Sequence, residues 1–263
     1  MHAKSLTLKH VFCRYLLCLF TGLLCIAAPA SALQEKPLLQ AVTSEQGLQA
    51  GPLQSMLVDR GGVLWIGTAH GLSRYDANRV QKVPFPGFAD GDVNISDLLE
   101  DQNGRMFAAA LHLGLYQLDR YSGSLELLVD LSRQEQIESP LLTQIAIEDE
   151  NHLWLGISQS LYRYSIEQKQ LSKVFEFNAG DVVMPRISAI LTDGEQVFVG
   201  TSRGLYVVDR ATGDAQLLKL EDSQQQRANV RDIQLIGQEL LVAQEDKLFS
   251  FARTGVTAQH APS

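Results

Sequence analysis

The sequence predicts an all-β fold, a β-propeller of about five four-stranded antiparallel blades, and two observations support this prediction. From residue 53 onward one pattern recurs five times, and its anchor residues are 42, 47, 44 and 43 residues apart: Trp65, Phe107, Trp154, Phe198 and Leu241. This period is typical of a propeller blade and exceeds that of leucine-rich repeats. The repeats also lack the apolar spacing that helical arrays need.

Each repeat divides into four strands in the same order. An apolar first strand such as 53–58 ends at a turn such as Asp59-Arg60-Gly61-Gly62, where aspartate caps its own backbone and glycine allows a positive φ. The second strand carries the large anchor followed by a small residue, and third and fourth strands complete the blade. Such apolar first and second strands are expected in sheets packed on both faces. We therefore expect a propeller over residues 33–263, with repeats near 53–85, 95–130, 143–177, 187–220 and 231–260.

The first 32 residues have the features of a secretory signal peptide. Three basic residues precede an apolar run at 15–28, and Ala30-Ser31-Ala32 supplies the small residues that signal peptidase recognises. The run is shorter than the roughly 20 residues of a membrane-spanning helix. We expect cleavage after Ala32 and export, most simply to the periplasm.

Composition excludes several classes of function. The three cysteines, Cys13, Cys18 and Cys25, all lie in the predicted signal peptide, so the mature chain would have no disulfide, cysteine–zinc site or cysteine nucleophile. Its charge would be −11, from 19 basic residues (22 minus 3) and 30 acidic ones. Nucleic acid and anionic membranes are therefore poor partners.

The amino-acid sequence of the repeat resembles that of a known family. Residues 59–68 (DRGGVLWIGT) together with 71–76 (GLSRYD) are similar to the two-component regulator propeller repeat. Residues 187–209 resemble this repeat almost as well, whereas residues 231–252 are a degenerate copy of it. The resemblance implies an exported ligand-sensing propeller, commonly of seven blades, joined through a membrane helix to a histidine kinase or diguanylate cyclase. This sequence departs from that pattern, with five repeats and neither a following membrane helix nor an output module.

Two arrangements of the five blades remain open. In a closed ring, the segment Leu38 to Thr43 would add a fourth strand beside Phe249-Ser250-Phe251 and seal the edge. Alternatively, the repeats are the first five blades of a larger ring, from a truncated gene. The degenerate fifth repeat, with Lys247 at the glycine position, slightly favours the second arrangement.

Candidate catalytic and metal motifs have simpler interpretations. Residues 200–204 (GTSRG) match the G-x-S-x-G nucleophile elbow, but here they join two strands instead of a strand and a helix. The acidic cluster 148–150 is interpreted as solvated charges at a turn, and His152 lacks a partner at metal-ligand spacing. We predict no catalytic residue, no metal and no cofactor.

The turns between second and third strands are the predicted ligand site. They lie on one rim of the ring, and their residues differ from blade to blade although the surrounding sequence repeats. Different groups at equivalent positions around an axis can form an asymmetric polar pocket; drift of exposed turns is the competing interpretation. The predicted ligand-binding residues are Arg203, His70, His112, Gln159 and Asp246. The guanidinium group of Arg203 would bind an anion through two N–H groups.

Three functions remain. The first is an exported sensor propeller that binds a small molecule or glycan fragment as the input module of a two-component or cyclic-nucleotide signalling system, without an output domain. Its partner would be a membrane-bound histidine kinase or diguanylate cyclase. The alternative is a periplasmic scaffold for protein–protein interaction. A propeller lyase or glycan hydrolase is third, because no acid–base pair is visible across the repeats.

Overall fold

The computed structural model describes residues 42–49, 51–76, 79–177, 185–218, 229–245 and 247–252. The predicted signal peptide, most of the Leu38 to Thr43 segment and Asp246 lie outside the described residues. The described part is a five-blade β-propeller of antiparallel strands, which confirms the predicted fold class. Apart from short 3-10 helices at Ser44–Gln46 and Leu131–Arg133, its elements are the strands β1 Leu53–Val58, β2 Leu64–Thr68, β3 Gly71–Tyr75, β4 Val80–Val83, β5 Ile95–Glu100, β6 Met106–Ala110, β7 Gly114–Leu118, β8 Leu125–Asp130, β9 Leu142–Ile147, β10 His152–Ile157, β11 Ser160–Ser165, β12 Gln170–Glu176, β13 Ile187–Asp193, β14 Gln196–Thr201, β15 Gly204–Asp209, β16 Ala215–Leu218, β17 Val230–Ile236, β18 Glu239–Gln244 and β19 Leu248–Ala252.

Consecutive strands pair within each blade. The first four sheets have the order β1-β2-β3-β4, β5-β6-β7-β8, β9-β10-β11-β12 and β13-β14-β15-β16, and the fifth has three described strands, β17-β18-β19. The first strand of every blade shifts register near its start, as between Leu53 and Ser55 or between Ile95 and Asp97. Such a bulge leaves one residue of the first strand, which we call the inner strand, outside the ladder of hydrogen bonds between strands.

The core lies between neighbouring blades. Trp65 and Trp154 are fully buried at equivalent sheet positions, as their shared place in the repeat predicts. The small residue two positions after the anchor receives a side chain from the next blade: a Cβ atom at Gly67 would lie 2.7 Å from Cγ2 of Ile95. At Gly156 it would lie 2.8 Å from Ile187. The small residue of the repeat therefore leaves room for a side chain of the next blade, which explains why it follows the large anchor residue.

The inner strands pack in succession, β1 on β5, β5 on β9, β9 on β13 and β13 on β17. Among the described strands, β17 makes no contact of comparable extent with β1. The described blades therefore form an arc with two ends. At the first end, Leu53, Met56 and Val58 of β1 are more than half exposed.

Candidate functional site

The propeller has two rims. We call the rim with the turns between second and third strands, such as residues 69–70 and 111–113, the upper rim. The opposite rim, with the turns between first and second strands, such as 59–63, is the lower rim. Loops at the ends of a strand scaffold are common places for binding residues, so each rim is a candidate surface.

The upper rim holds the four predicted site residues that the structure describes. His70 and Arg203 occupy equivalent turns, where their backbone N–H groups donate to Oγ1 of Thr68 and of Thr201, both at 3.1 Å. Lys173, and to a smaller extent the side chain of Gln159, hold the pKa of the Glu176 carboxyl below its ordinary value. His112 is exposed.

A cavity of about 350 Å³ opens on the upper rim beside His112. It lies between the linker that follows β4 and the outer strands of the second blade. Of the predicted residues, this cavity includes His112 and none of the other three described ones. Its lining comprises Pro86, Phe88, His112, Leu113, Tyr116, Leu125, Leu127, Asp130 and Ser132.

The upper-rim cavity combines an apolar body with polar groups. Phe88 and Leu127 are 42% and 43% exposed, so both apolar side chains are open to a ligand. Burial, and to a lesser extent Asp130, raises the pKa of Tyr116, so its hydroxyl stays protonated. Asp130 itself accepts hydrogen bonds from the backbone N–H and hydroxyl of Ser132, at 3.0 and 2.6 Å. Ligand sites commonly have this composition.

A second cavity, of about 360 Å³, opens on the lower rim between the third and fourth blades. No carboxylate is among the described residues that line it, although the chain is acidic overall. The lining is His152, Arg163, Ser165, Gln168, Gln170, Ser172, Lys173, Val174, Arg210, Ala211, Thr212 and Gly213.

An ion-pair network holds the cationic side chains of the lower-rim cavity. The Glu148 side chain is fully buried and accepts hydrogen bonds from Nε of both Arg163 and Arg210. Arg210 also donates from Nη2 to Oδ2 of Asp149 at 2.9 Å, and Nδ1 of His152 lies 2.9 Å from Oδ1 of Asp149. Burial alone would raise the pKa of Asp149, but hydrogen bonds from Asn151 and His152 bring it below its ordinary value, so this carboxylate stays charged.

These contacts correct two interpretations made from the sequence. Glu148 is a buried anchor for two arginines instead of a solvated charge, and His152 has Asp149 as a partner. Glu148, Asp149 and His152 place possible metal-ligand atoms within 4.8 Å of one another. The guanidinium groups of Arg163 and Arg210 already occupy the carboxylate oxygens that a metal would need, so the arrangement favours ion pairs.

Comparison with known proteins supports the fold. No family model and no curated protein matches the chain. Solved structures do match, including the extracellular domain of the hybrid two-component system BT4673 from B. thetaiotaomicron, with a TM-score of 0.64 and 17% identity over 81% of this chain and 28% of that one. That of BT3049 matches with a TM-score of 0.51 and 14% identity over 82% of this chain and 36% of that one.

A third match is virginiamycin B lyase from Staphylococcus aureus, with a TM-score of 0.58 and 12% identity over 75% of this chain and 64% of that one. The chain therefore spans about a quarter to a third of the two extracellular domains and about two thirds of the lyase. At the level of fold, the first two matches agree with the resemblance of the repeat. Among the described residues, no helix is both long and apolar enough to cross a membrane.

Proposed function

We propose that this chain is an exported sensor propeller that binds a small molecule or glycan fragment and passes the bound state to a membrane-bound histidine kinase or diguanylate cyclase. The observation that supports ligand binding best is the upper-rim cavity, where exposed apolar side chains meet the polar groups of a turn that differs between blades. The fold shared with extracellular domains of hybrid two-component systems supports the signalling role.

The apolar lining supplies the affinity in this proposal. Covering the exposed surfaces of Phe88 and Leu127 with a ligand would contribute about 25 cal/mol for each Å² of apolar area removed from water. His112, Asp130 and Ser132 would then orient the polar groups of the ligand. A sugar ring suits this arrangement because its C–H face is apolar while its hydroxyls are polar.

The position of the cavity also provides a route for signalling. Pro86 and Phe88 belong to the linker between the first two blades, whereas Leu125 and Leu127 belong to β8. A ligand in the cavity therefore contacts both segments. It would shift the equilibrium between two arrangements of the linker if it bound one of them more tightly.

The proposal predicts that Phe88→Ala weakens ligand binding at least about fivefold, because the substitution removes the largest apolar surface at the cavity mouth. A thermal-shift screen of small molecules and glycan fragments against the parent chain would identify a ligand, since a compound that binds the folded state raises Tm. Titration calorimetry would then compare the parent with Phe88→Ala and His112→Ala.

Tyr121→Ala is the matched control. Tyr121 is also an exposed aromatic residue, at 87%, but it lies in a lower-rim turn. Its removal should leave Kd unchanged. Equal losses of affinity for Phe88→Ala and Tyr121→Ala, with both variants folded, would contradict a site in the upper-rim cavity.

A scaffold function is the second candidate, because the exposed apolar residues of β1, Leu53, Met56 and Val58, could contact another protein. No thermal shift with any compound, together with a specific protein partner in pull-down, would favour the scaffold. We propose a non-enzymatic chain; product formation from a bound compound would instead favour the third candidate, a lyase or glycan hydrolase, which the fold permits.

A further inference from the structure

We infer that the lower-rim cavity is a second ligand site, separate from the upper-rim cavity, and that it binds a sugar acid, a saccharide that carries a carboxylate. Three features point to this class of ligand: cations held in fixed positions, a lining without carboxylates, and a set of neutral hydrogen-bonding groups beside the cations.

The cations are positioned before any ligand arrives. Buried Glu148 binds Arg163 of β11 and Arg210 of the turn after β15, so one carboxylate fixes guanidinium groups from two blades. Arg163 uses only Nε in this contact, and its side chain is 38% exposed in the cavity wall. Its terminal nitrogens therefore keep N–H groups available for the two oxygens of a ligand carboxylate, which is the geometry that guanidinium groups bind best.

The sign of the charge at the cavity surface favours an anion. Arg163, Arg210 and Lys173 line the cavity, whereas neither the fully buried Glu148 side chain nor Asp149, whose side chain is 35% exposed, lines it. Lys173 pairs with Glu176 at 2.8 Å, so that lysine contributes less than a free one would. The cavity itself is thus lined by cations and neutral groups, in a chain with more acidic than basic residues.

The neutral residues that line the cavity favour a saccharide over an apolar acid as the ligand. Gln168, Gln170, Ser172 and Thr212 provide amides and hydroxyls, groups that both donate and accept hydrogen bonds as sugar hydroxyls do. Val174 is the single large apolar side chain among the described lining residues. A fatty or aromatic acid would find little apolar surface here, and the volume of about 360 Å³ is in the lower range for ligand sites.

Titration calorimetry with D-galacturonate and D-galactose tests the inference. The two sugars differ only at C6, which is a carboxylate in galacturonate and a hydroxymethyl group in galactose. We expect galacturonate to bind and galactose to bind at least about tenfold more weakly. Arg163→Gln should weaken galacturonate binding about tenfold or more, and Lys173→Gln should weaken it a few fold. Arg79→Gln is the control, because Arg79 is an exposed, ion-paired arginine of the first blade and should have no effect.

Two further measurements keep the result unambiguous. If Arg163→Gln does not fold, Lys173→Gln and Ser172→Ala at the cavity surface serve in its place. A loss of galacturonate binding in Phe88→Ala but not in Arg163→Gln would assign the sugar to the upper-rim cavity and overturn the inference, which separates it from the proposed function. Equal affinity for both sugars, equal affinity for galacturonate and inorganic sulfate, or no effect of the cavity variants would overturn the assignment of a sugar-acid site.

Discussion

At the scale of single residues, Asp97 connects three blades through one carboxylate. Its oxygens accept hydrogen bonds from the N–H of Leu98 in its own strand, at 2.9 Å, and from that of Ile145 in the third blade, at 3.0 Å. Oγ of Ser55 in the first blade donates to it at 3.3 Å. Although the side chain keeps some exposure, protein atoms crowd its carboxylate, and this burial, with a smaller effect of Asp232, raises its pKa to about 6.

The raised pKa predicts that protonation of Asp97 stabilises the fold. Because the folded pKa of about 6 exceeds the ordinary 3.8, the contribution is fully present below pH 3.8 and is lost as pH rises through about 6. We expect this residue to lower the free energy of unfolding by about 1 to 3 kcal/mol between about pH 4 and 7. Asp97→Asn should remove that part of the pH dependence, whatever its effect on absolute stability.

Urea unfolding of parent and variant at about pH 4, 5, 6 and 7 would measure the difference in slope. Asp90→Asn provides the control, since Asp90 is an acid with a largely exposed side chain and should leave the pH profile of the parent unchanged. Parallel profiles for the parent and Asp97→Asn would show that Asp97 titrates at the same pH in the folded and unfolded states.

At the scale of strands, the bulges of three inner strands, β5, β9 and β13, each place a hydroxyl between two blades. Oγ1 of Thr143 lies 3.2 Å from the carbonyl oxygen of Gly156 in its own blade and 2.9 Å from that of Ile187 in the next. Ser96 and Ser188 make the same pair of contacts to their own and following blades. The bulge thus joins sheets that share no strand ladder.

Replacing this hydroxyl should destabilise the fold measurably. We expect Thr143→Val to cost about 1 to 2 kcal/mol, because it removes the donor from two buried carbonyls while keeping the β-branched shape. Thr192→Val is the matched control: its Oγ1 is buried and has no hydrogen-bond partner among the described residues, so the same change should be neutral or stabilising. Urea unfolding would test this order, and a reversed order would contradict the bridging role of the hydroxyl.

The strand pattern could be predicted from sequence because its causes are local and repeated. The Asp59 turn is an example, since its Oδ1 accepts from the N–H of Gly61 and Val63, at 2.8 and 3.0 Å. The lower-rim cavity could not be predicted in this way. Glu148 meets Arg163 and Arg210 across 15 and 62 residues, and no repeat relates those two arginines. One available signal was Glu148 itself, which stands where three other repeats have aspartate.

At the scale of the whole molecule, the first blade has an apolar face that no other described blade covers. The first residue of each inner strand is apolar, and it is fully buried wherever a preceding blade covers it, as at Ile95, Leu142, Ile187 and Val230. The equivalent Leu53 is 55% exposed. Met56 is 64% exposed, whereas its equivalent Leu98 is 6% exposed. The repeat sequence specifies the same face in each case, so the difference in burial comes from the neighbour alone.

Because of this difference, we expect truncation to alanine to destabilise the fold strongly at one of two equivalent leucines and only weakly at the other. Leu142→Ala should cost about 2 to 5 kcal/mol, because it leaves a cavity between the second and third blades. Leu53→Ala should cost less than about 1 kcal/mol, because little apolar area is removed from contact with protein. Urea unfolding of both variants measures the contrast. Equal costs would mean that the face of β1 is covered in solution, and the dependence of the midpoint on protein concentration would then distinguish cover by a second molecule from cover within the chain.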